Sequence, residues 1–243
     1  MRIAITSDIH ANLVALDAVL EHAGPVDAIW NMGDAVGYGP QPSECITRLC
    51  EFGAIWVAGN HERAATGAIS TDEFNPAAAT AAQWTANRLA ADERAFLDAL
   101  PETRIEGDFT LVHGSLRWPI WEYLVDFETA RAHLSLQQTP FGFVGHTHIP
   151  MQVTELPEDR QGCELHRLAD GDIVELGESR LVLNPGSVGQ PRDGDKRASY
   201  GLLDTDARTF ILRRVEYDIA STQKLMGEAE LPHWLIERLA IGR

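Results

Sequence analysis

The opening residues Ile3-Ala4-Ile5-Thr6 form a short, nearly apolar run that predicts a buried strand, and Leu13, Leu16, Val19 and Leu20 then recur at helical spacing. Ala28-Ile29-Trp30 predicts a second strand, leading into Gly33-Asp34. A helix should follow, with Pro42 and Ser43 in its first turn and Gly53 just past its end. Ala54-Ile55-Trp56-Val57 reads as a third strand, running into Gly59-Asn60-His61-Glu62. Strands alternating with helices in this way predict a parallel, right-handed βαβ start.

The middle of the chain is helical in pattern. Pro76 to Leu89 is rich in alanine, and Asp92 offers a cap for a shorter helix ending near Leu100-Pro101. From Phe109 strands dominate: Phe109–Val112, Phe141–Val144, Met151–Glu155, Cys163–Leu168, Asp172–Glu175, Leu181–Leu183, Tyr200–Asp204 and Thr209–Val215. Pro157–Gly162 has the polarity of a hairpin tip, and the tail from Asp218 returns to helix. No repeat or long linker interrupts this order. The economical reading is one α/β domain over residues 1–243, its many strands divided between two sheets.

Composition narrows the function classes. With 44% hydrophobic and 23% charged residues the chain is an ordinary globular sequence, which excludes disorder. Its formal charge of -16 argues against a binder of duplex nucleic acid or of anionic membranes. Cys45, Cys50 and Cys163 are odd in number and lack C-x-x-C spacing, so free thiols in a reducing cytosol are expected. No apolar stretch suits a signal peptide or a membrane span. The expected location is cytoplasmic.

The informative residues share one position, just after a predicted strand: Asp8-Ile9-His10, Gly33-Asp34, Gly59-Asn60-His61-Glu62, His113-Gly114 and Gly145-His146-Thr147-His148. Each alone could be a helix cap, a turn or a structural histidine. Five of them in order, each at a strand's carboxyl end, mark the place where α/β sheets form a ligand crevice. Carboxylate, amide and imidazole donors suit Mn²⁺, Fe, Zn²⁺ or Co²⁺, and the absence of cysteine disfavours a thiolate site. Seven donors are too many for one tetrahedral ion. They fit two ions about 3.5–4 Å apart sharing a carboxylate, an arrangement suited to in-line attack on phosphorus esters.

The ordered set D-x-H, G-D, G-N-H-E, H-G and G-H-T-H resembles the calcineurin-like metallophosphoesterase superfamily. The longer strings Ser7–Asn12, Gly33–Pro40 and Asn184-Pro185-Gly186-Ser187-Val188-Gly189-Gln190-Pro191-Arg192 are similar to its small bacterial phosphodiesterase branch. The resemblance implies a four-layer αββα sandwich of two mixed sheets. It implies that Asp8, His10, Asp34 and His148 hold one ion, and Asp34, Asn60, His113 and His146 the other, with Asp34 bridging. His61 would then stabilise the transition state or protonate the leaving oxygen. The implied reaction is hydrolysis of a P–O bond by a bridging hydroxide, with two divalent ions among Mn, Fe, Zn, Co or Ni as cofactors.

One departure bears on substrate. The superfamily's serine/threonine phosphatases carry G-D-x-V-D-R-G, whereas Gly37-Tyr38-Gly39 here lacks the Arg, which disfavours a protein phosphatase. Arg192 is a candidate for a substrate phosphate, because its planar fork matches phosphate oxygens. Tyr38 is a candidate for stacking on a base, with packing the favoured reading. Trp118 and Trp121 offer a wall for an aromatic leaving group or an anchor for their loop, and Glu62 a local bridge. His22, His133, His166 and His233 fit no ligand spacing. The expected reaction is a phosphodiesterase acting on a small phosphoester, nucleotide-derived substrates included. Dinucleoside polyphosphate hydrolase, broad phosphomonoesterase and nuclease are the enzymatic alternatives. A metal-binding interaction scaffold is the non-enzymatic one; a retromer subunit of this fold lacks the histidine that corresponds to His61. Oligomeric state stays open.

Overall fold

The protein is described from a computed structural model covering residues 1–156 and 161–243. The opening segment forms β1 (Arg2–Thr6), α1 (Leu13–Ala23), β2 (Ala28–Asn31), α2 (Pro42–Glu51) and β3 (Ile55–Trp56). β1 pairs parallel with β2, and β2 with β3, as the alternating pattern requires. Pro42 opens α2, and Gly53 closes it at φ +59, its N–H donating to Cys50 O at 2.9 Å. Then come α3 (Asn60–Thr66), α4 (Pro76–Arg88), α5 (Ala91–Asp98), β4 (Thr103–Glu106), β5 (Phe109–Val112), α6 (Phe127–Leu136) and β6 (Phe141–Phe143). The remainder is β7 (Met151–Glu155), β8 (Cys163–Arg167), β9 (Ile173–Glu175), β10 (Leu181–Asn184), β11 (Ala198–Asp204), β12 (Thr209–Val215), α7 (Ile219–Glu228), α8 (His233–Glu237) and a 3₁₀ turn at Arg238–Ile241.

Two mixed six-stranded sheets result, in the orders β3-β2-β1-β11-β12-β9 and β4-β5-β6-β10-β7-β8. The side-chain alternation of β1 explains the layering. Ile3 and Ile5 point to a core shared by both sheets, with Trp30, Phe109, Phe143, Leu183 and Phe210. Ala4, between them, faces outward onto Leu16, Val19, Ile46 and Leu49 of α1 and α2. On the far side Val112, Val144, Val153 and Val182 meet Ala130 and Leu134 of α6. Helix, sheet, sheet and helix thus stack as an αββα sandwich. Each fully buried Ile or Leu at these layers contributes roughly 1.5–3 kcal/mol of transfer free energy.

Several expectations need correction. α6 lies where strands were expected to dominate; Asp126 caps it, accepting the Thr129 N–H at 2.9 Å. β4 also escapes the pattern because it is an edge strand exposed along most of its length. α5 is not capped by Asp92: Ala90 is the N-cap, and Glu93 accepts its N–H at 2.7 Å. The expected hairpin tip includes residues 157–160, which lie outside the described residues; the flanking β7 and β8 pair antiparallel, Glu155 opposite Cys163. Cys45 and Cys163 are buried, and Cys50 is exposed. No helix among the described residues is long and apolar enough to cross a membrane.

Candidate metal centre

β1, β2 and β3 of one sheet, and β5 and β6 of the other, deliver their following loops to one edge of the sandwich. Backbone hydrogen bonds knit those loops together: Asp8 N to Gly33 O at 3.0 Å, His10 N to Asp34 O at 2.9 Å, Gly145 N to His113 O at 2.7 Å. The two sheets meet where the His146 N–H donates to Asp8 Oδ2 at 3.0 Å. Asp8, His10, Asp34, His146 and His148 all hold left-handed backbone, five of nine such non-glycine positions among the described residues. Strain concentrated in this way marks a site whose geometry the surrounding structure enforces.

Two clusters of ligand atoms result, Asp8–His10–His148 and Asp34–His113–His146, every side chain buried. Each of the four histidines spends one ring nitrogen on a backbone carbonyl. His10 Nδ1 donates to Val36 O (3.1 Å), His113 Nδ1 to Met32 O (2.7 Å), His148 Nδ1 to Gln190 O (2.5 Å) and His146 Nε2 to Trp121 O (3.2 Å). The opposite nitrogens face inward in pairs, His10 Nε2 3.1 Å from His148 Nε2 and His113 Nε2 3.0 Å from His146 Nδ1. A carbonyl that fixes the tautomer and frees the other lone pair is the support that metal-ligating imidazoles have.

The carboxylates are oriented by the same logic. Asp8 Oδ2 takes the Ser7 hydroxyl and the His146 N–H, while Asp8 Oδ1 is buried and accepts no hydrogen bond. Asp34 Oδ1 takes the His61 N–H at 2.9 Å; its Oδ2 lies 3.8 Å from His10 Nε2 and 3.2 Å from His113 Nε2, between the two clusters. Asn60 Oδ1 is likewise buried without a partner. Buried acceptors without donors are costly unless a cation meets them. Charge points the same way: burial opposes protonation of His113, yet Asp34, Asp8 and the Met32 carbonyl together outweigh it and lift the imidazole to about 9. For Asp34 burial opposes ionisation, but the imidazoles, His113 foremost, hold the carboxyl well below its usual range. Burial pushes His10, His146 and His148 down, so these rings are neutral and free to ligate. The donor set fits divalent cations.

His61 stands beside the clusters, its ring 4.9 Å from His10 and 4.3 Å from Tyr38. One of its ring nitrogens also comes within 4.8 Å of a ring nitrogen of His10 and a carboxylate oxygen of Asp34, a third grouping that the motif assignment did not contain. Its Nδ1 is buried without a partner, and burial pushes the imidazole down to about 4. Glu62 bridges locally, as its sequence position suggested. Its carboxylate accepts the N–H groups of Gly59, Asp34 and Ala35 at 2.8, 2.8 and 2.7 Å. Gly59 is required here by close approach, since a Cβ would sit 2.1 Å from Asp34 Oδ1.

A cleft of ≈ 550 Å³ opens from Asn60, His61 and His146 and is walled by Phe74, Trp118, Trp121, Tyr123 and Tyr38. Trp118 and Trp121 therefore do line a pocket. Tyr38 both packs, against Ala78, Met226 and Leu235, and shows an edge to the cleft. Arg192 lies next to the centre: its N–H reaches His148 O at 3.4 Å and its guanidinium lies 5.8 Å from the Tyr38 ring centroid. His133 is a core residue, and His22, His166 and His233 are exposed away from the clusters. Sequence reasoning missed Tyr123, whose ring stacks on His146 at 4.1 Å, and Phe74, 5.1 Å from His61, because neither sits in a motif. It also gave no role to Asn184 and Ser187. These pin the Gly145 and Asp8 carbonyls at 2.7 Å each.

A family model described as the calcineurin-like phosphoesterase superfamily domain matches residues 1–208. A metallophosphoesterase from Sphaerobacter thermophilus is 48% identical, with a TM-score of 0.91 over 100% of this chain and 99% of that one. An uncharacterised protein of Methanocaldococcus jannaschii is 39% identical across 99% of this chain and 98% of its own length. A hypothetical protein from Pyrococcus horikoshii OT3 shares the fold at 19% identity, with a TM-score of 0.79 over 100% of this chain and 98% of that one. The chain belongs to the calcineurin-like phosphoesterase superfamily and is a phosphoester hydrolase.

Proposed function

We propose that the chain, one domain over residues 1–243, is a phosphodiesterase working with two divalent ions. The observation that carries this reading is Asp34 Oδ2, set between one member of each histidine pair, 3.8 Å from His10 Nε2 and 3.2 Å from His113 Nε2. Asp8, His10, Asp34 and His148 would hold one ion; Asp34, Asn60, His113 and His146 would hold the other. When bound, the ions supply Lewis acidity toward the phosphoryl group and toward water. The chain's own residues then do three things. Val36, Met32, Gln190 and Trp121 carbonyls hold the imidazoles in orientation. Arg192 meets a phosphoryl oxygen with its fork. His61 donates a proton or hydrogen bond to the leaving oxygen, which is worth about 10²–10⁴-fold.

Preference for diesters is supported by the cleft beside His61. It has aromatic walls and, among its lining residues, no Lys or Arg, so it suits an uncharged ester substituent. The test is turnover of bis(p-nitrophenyl) phosphate against p-nitrophenyl phosphate by the Mn²⁺-, Co²⁺- or Ni²⁺-loaded protein. Diester turnover should exceed monoester turnover, and His61→Ala should lose rate while metal content stays. Turnover of neither ester across a substrate panel would instead favour the metal-binding scaffold.

A further inference from the structure

The four carbonyls that orient the imidazoles are not equally secure. Met32, Val36 and Gln190 are buried, whereas Trp121 is 37% exposed and sits in the loop between β5 and α6. His146 leans on that loop twice. Its Nε2 donates to Trp121 O at 3.2 Å, and the Tyr123 ring stacks on it, centroids 4.1 Å apart and planes within 10° of parallel. Tyr123 is exposed as well. Connecting loops ordinarily move more than the strands they join, so His146 keeps its direction only if this loop is held still.

Between its two supports stands Glu122. From Ile120 to Val125 the chain alternates: Ile120, Glu122 and Leu124 are buried, while Trp121, Tyr123 and Val125 are exposed. An acid at the middle one of three buried positions is costly unless its charge is met. It is met within the loop. Ser115 Oγ donates to Glu122 Oε2 at 2.5 Å, and Arg117 Nε donates to both carboxylate oxygens, at 2.9 and 3.1 Å. Ser115 Oγ in turn accepts the N–H groups of Arg117 and Trp118 at 3.1 and 3.2 Å. Trp118 O accepts those of Trp121 and Glu122 at 3.1 and 3.2 Å, which closes the loop on itself. Burial opposes ionisation of Glu122, but the hydrogen bonds from Arg117 and Ser115 hold its carboxyl below the usual value. Arg117 also lies 5.3 Å from the Trp118 ring centroid, so the same carboxylate steadies the wall of the cleft.

We propose that Glu122 is a positioning residue: by pinning Ser115 and Arg117 it holds the Trp121 carbonyl and the Tyr123 ring on His146, and so keeps the Asp34–His113–His146 cluster in register with the aromatic wall. Glu122 is neither in a ligand cluster nor on the lining of the cleft, so it acts through its neighbours. Its effect on metal rests on the two-ion reading, but the orientation of His146 is observable without metal.

The test is Glu122→Gln in the full-length chain, which keeps the length of the side chain but turns an amide N–H₂ toward Ser115 or Arg117. In metal-free protein, ¹H–¹⁵N spectra should show the carbonyl-bound ring N–H of His10, His113, His146 and His148, with His146 assigned by a His146→Gln variant. Glu122→Gln should broaden or lose the His146 signal alone. Calorimetric titration with Mn²⁺ should then show one of the two equivalents weakened about 10–100-fold and the other unchanged, the cost of losing an outer support of one ligand. A His146 signal and both affinities unchanged would overturn the role. So would equal changes in all four rings or in both equivalents, since those report general loosening. Should Glu122→Gln fail to fold, Arg117→Ala, made at a partly exposed side chain, gives the same readouts in the same direction. If the native protein binds a single ion yet the His146 signal alone depends on Glu122, the two-ion reading falls and the positioning role stands. Two ions bound with a His146 signal indifferent to Glu122 give the reverse.

Discussion

Glu62 and Asp34 are joined through the backbone: one carboxylate oxygen of Glu62, Oε2, accepts the N–H of Asp34 and that of Gly59, both at 2.8 Å. Its other oxygen accepts Ala35 N at 2.7 Å. A single buried acid therefore clamps the loop after β2 to the loop after β3. Glu62→Gln keeps the shape but turns an amide N–H₂ toward backbone donors, leaving at least one unsatisfied. Stability should fall by about 1–3 kcal/mol. Bound metal should fall with it, because Asp34 loses its fixed position. Denaturant titration and metal analysis of the same sample check both; an unchanged midpoint would show that the clamp is dispensable.

Asp34 is the side chain on which the two clusters depend jointly. Asp34→Asn can still accept the His61 N–H, but it offers an amide nitrogen or a neutral oxygen where Oδ2 stood between His10 and His113. Both ions should be lost together, and turnover should drop by at least about 100-fold. Metal analysis by mass spectrometry is the measurement. Retention of one full equivalent would mean that Asp34 serves one ion only.

Gly37 carries a prediction that separates His61 from the metals. At φ +85 it occupies backbone that L side chains avoid, and a Cβ there would lie 2.2 Å from His61 Nδ1. Gly37→Ala should push the imidazole out of place. Rate should fall toward that of His61→Ala while metal content stays near native. Full activity in Gly37→Ala would show that the ring position is not critical.

The chain reveals these relations unevenly, for physical reasons. Side chains at strand ends announce themselves, because a polar residue directly after a short apolar run has few reasons to be there; Asp8, Asp34, His113 and His146 were legible in that way. The layering followed from the alternation of Ile3, Ala4 and Ile5. α6 was hidden by its short length and mixed face, although the Asp126–Thr129 spacing was a usable cap signal. Phe74 and Tyr123 could not be read, since what places them is tertiary packing between segments far apart in sequence. No local pattern encodes such a meeting.

His133 predicts a pH dependence away from the metals. It is buried, its Nδ1 accepts the Leu116 N–H at 3.2 Å, and its Nε2 donates to Gln137 Oε1 at 3.1 Å. Burial pushes its pKa from 6.5 down to about 4, and protonation would break the Leu116 bond. Between those values the unfolded chain binds the proton and the folded chain does not, so stability rises with pH. The contribution is complete above about 6.5 and is lost as pH falls toward about 4. Between pH 7 and 5 it amounts to roughly 2 kcal/mol. His133→Leu should be less stable at pH 7 yet lose about that much less on acidification. Parallel urea titrations at the two pH values decide it; equal losses in both proteins would refute the assignment.

Trp118 is 61% exposed although it is large and apolar, and it stands on the wall of the cleft 5.3 Å from the Arg117 guanidinium. An indole kept in water at the mouth of a site that releases alcohols is placed to stack on the departing group. Trp118→Ala removes that surface without touching a candidate ligand. For aryl diesters KM should rise about 3–10-fold, the worth of one aromatic contact, with kcat nearly constant. For a methyl ester of the same phosphate the change should vanish. A KM rise of equal size for both esters would mean that Trp118 shapes the loop rather than the substrate's binding.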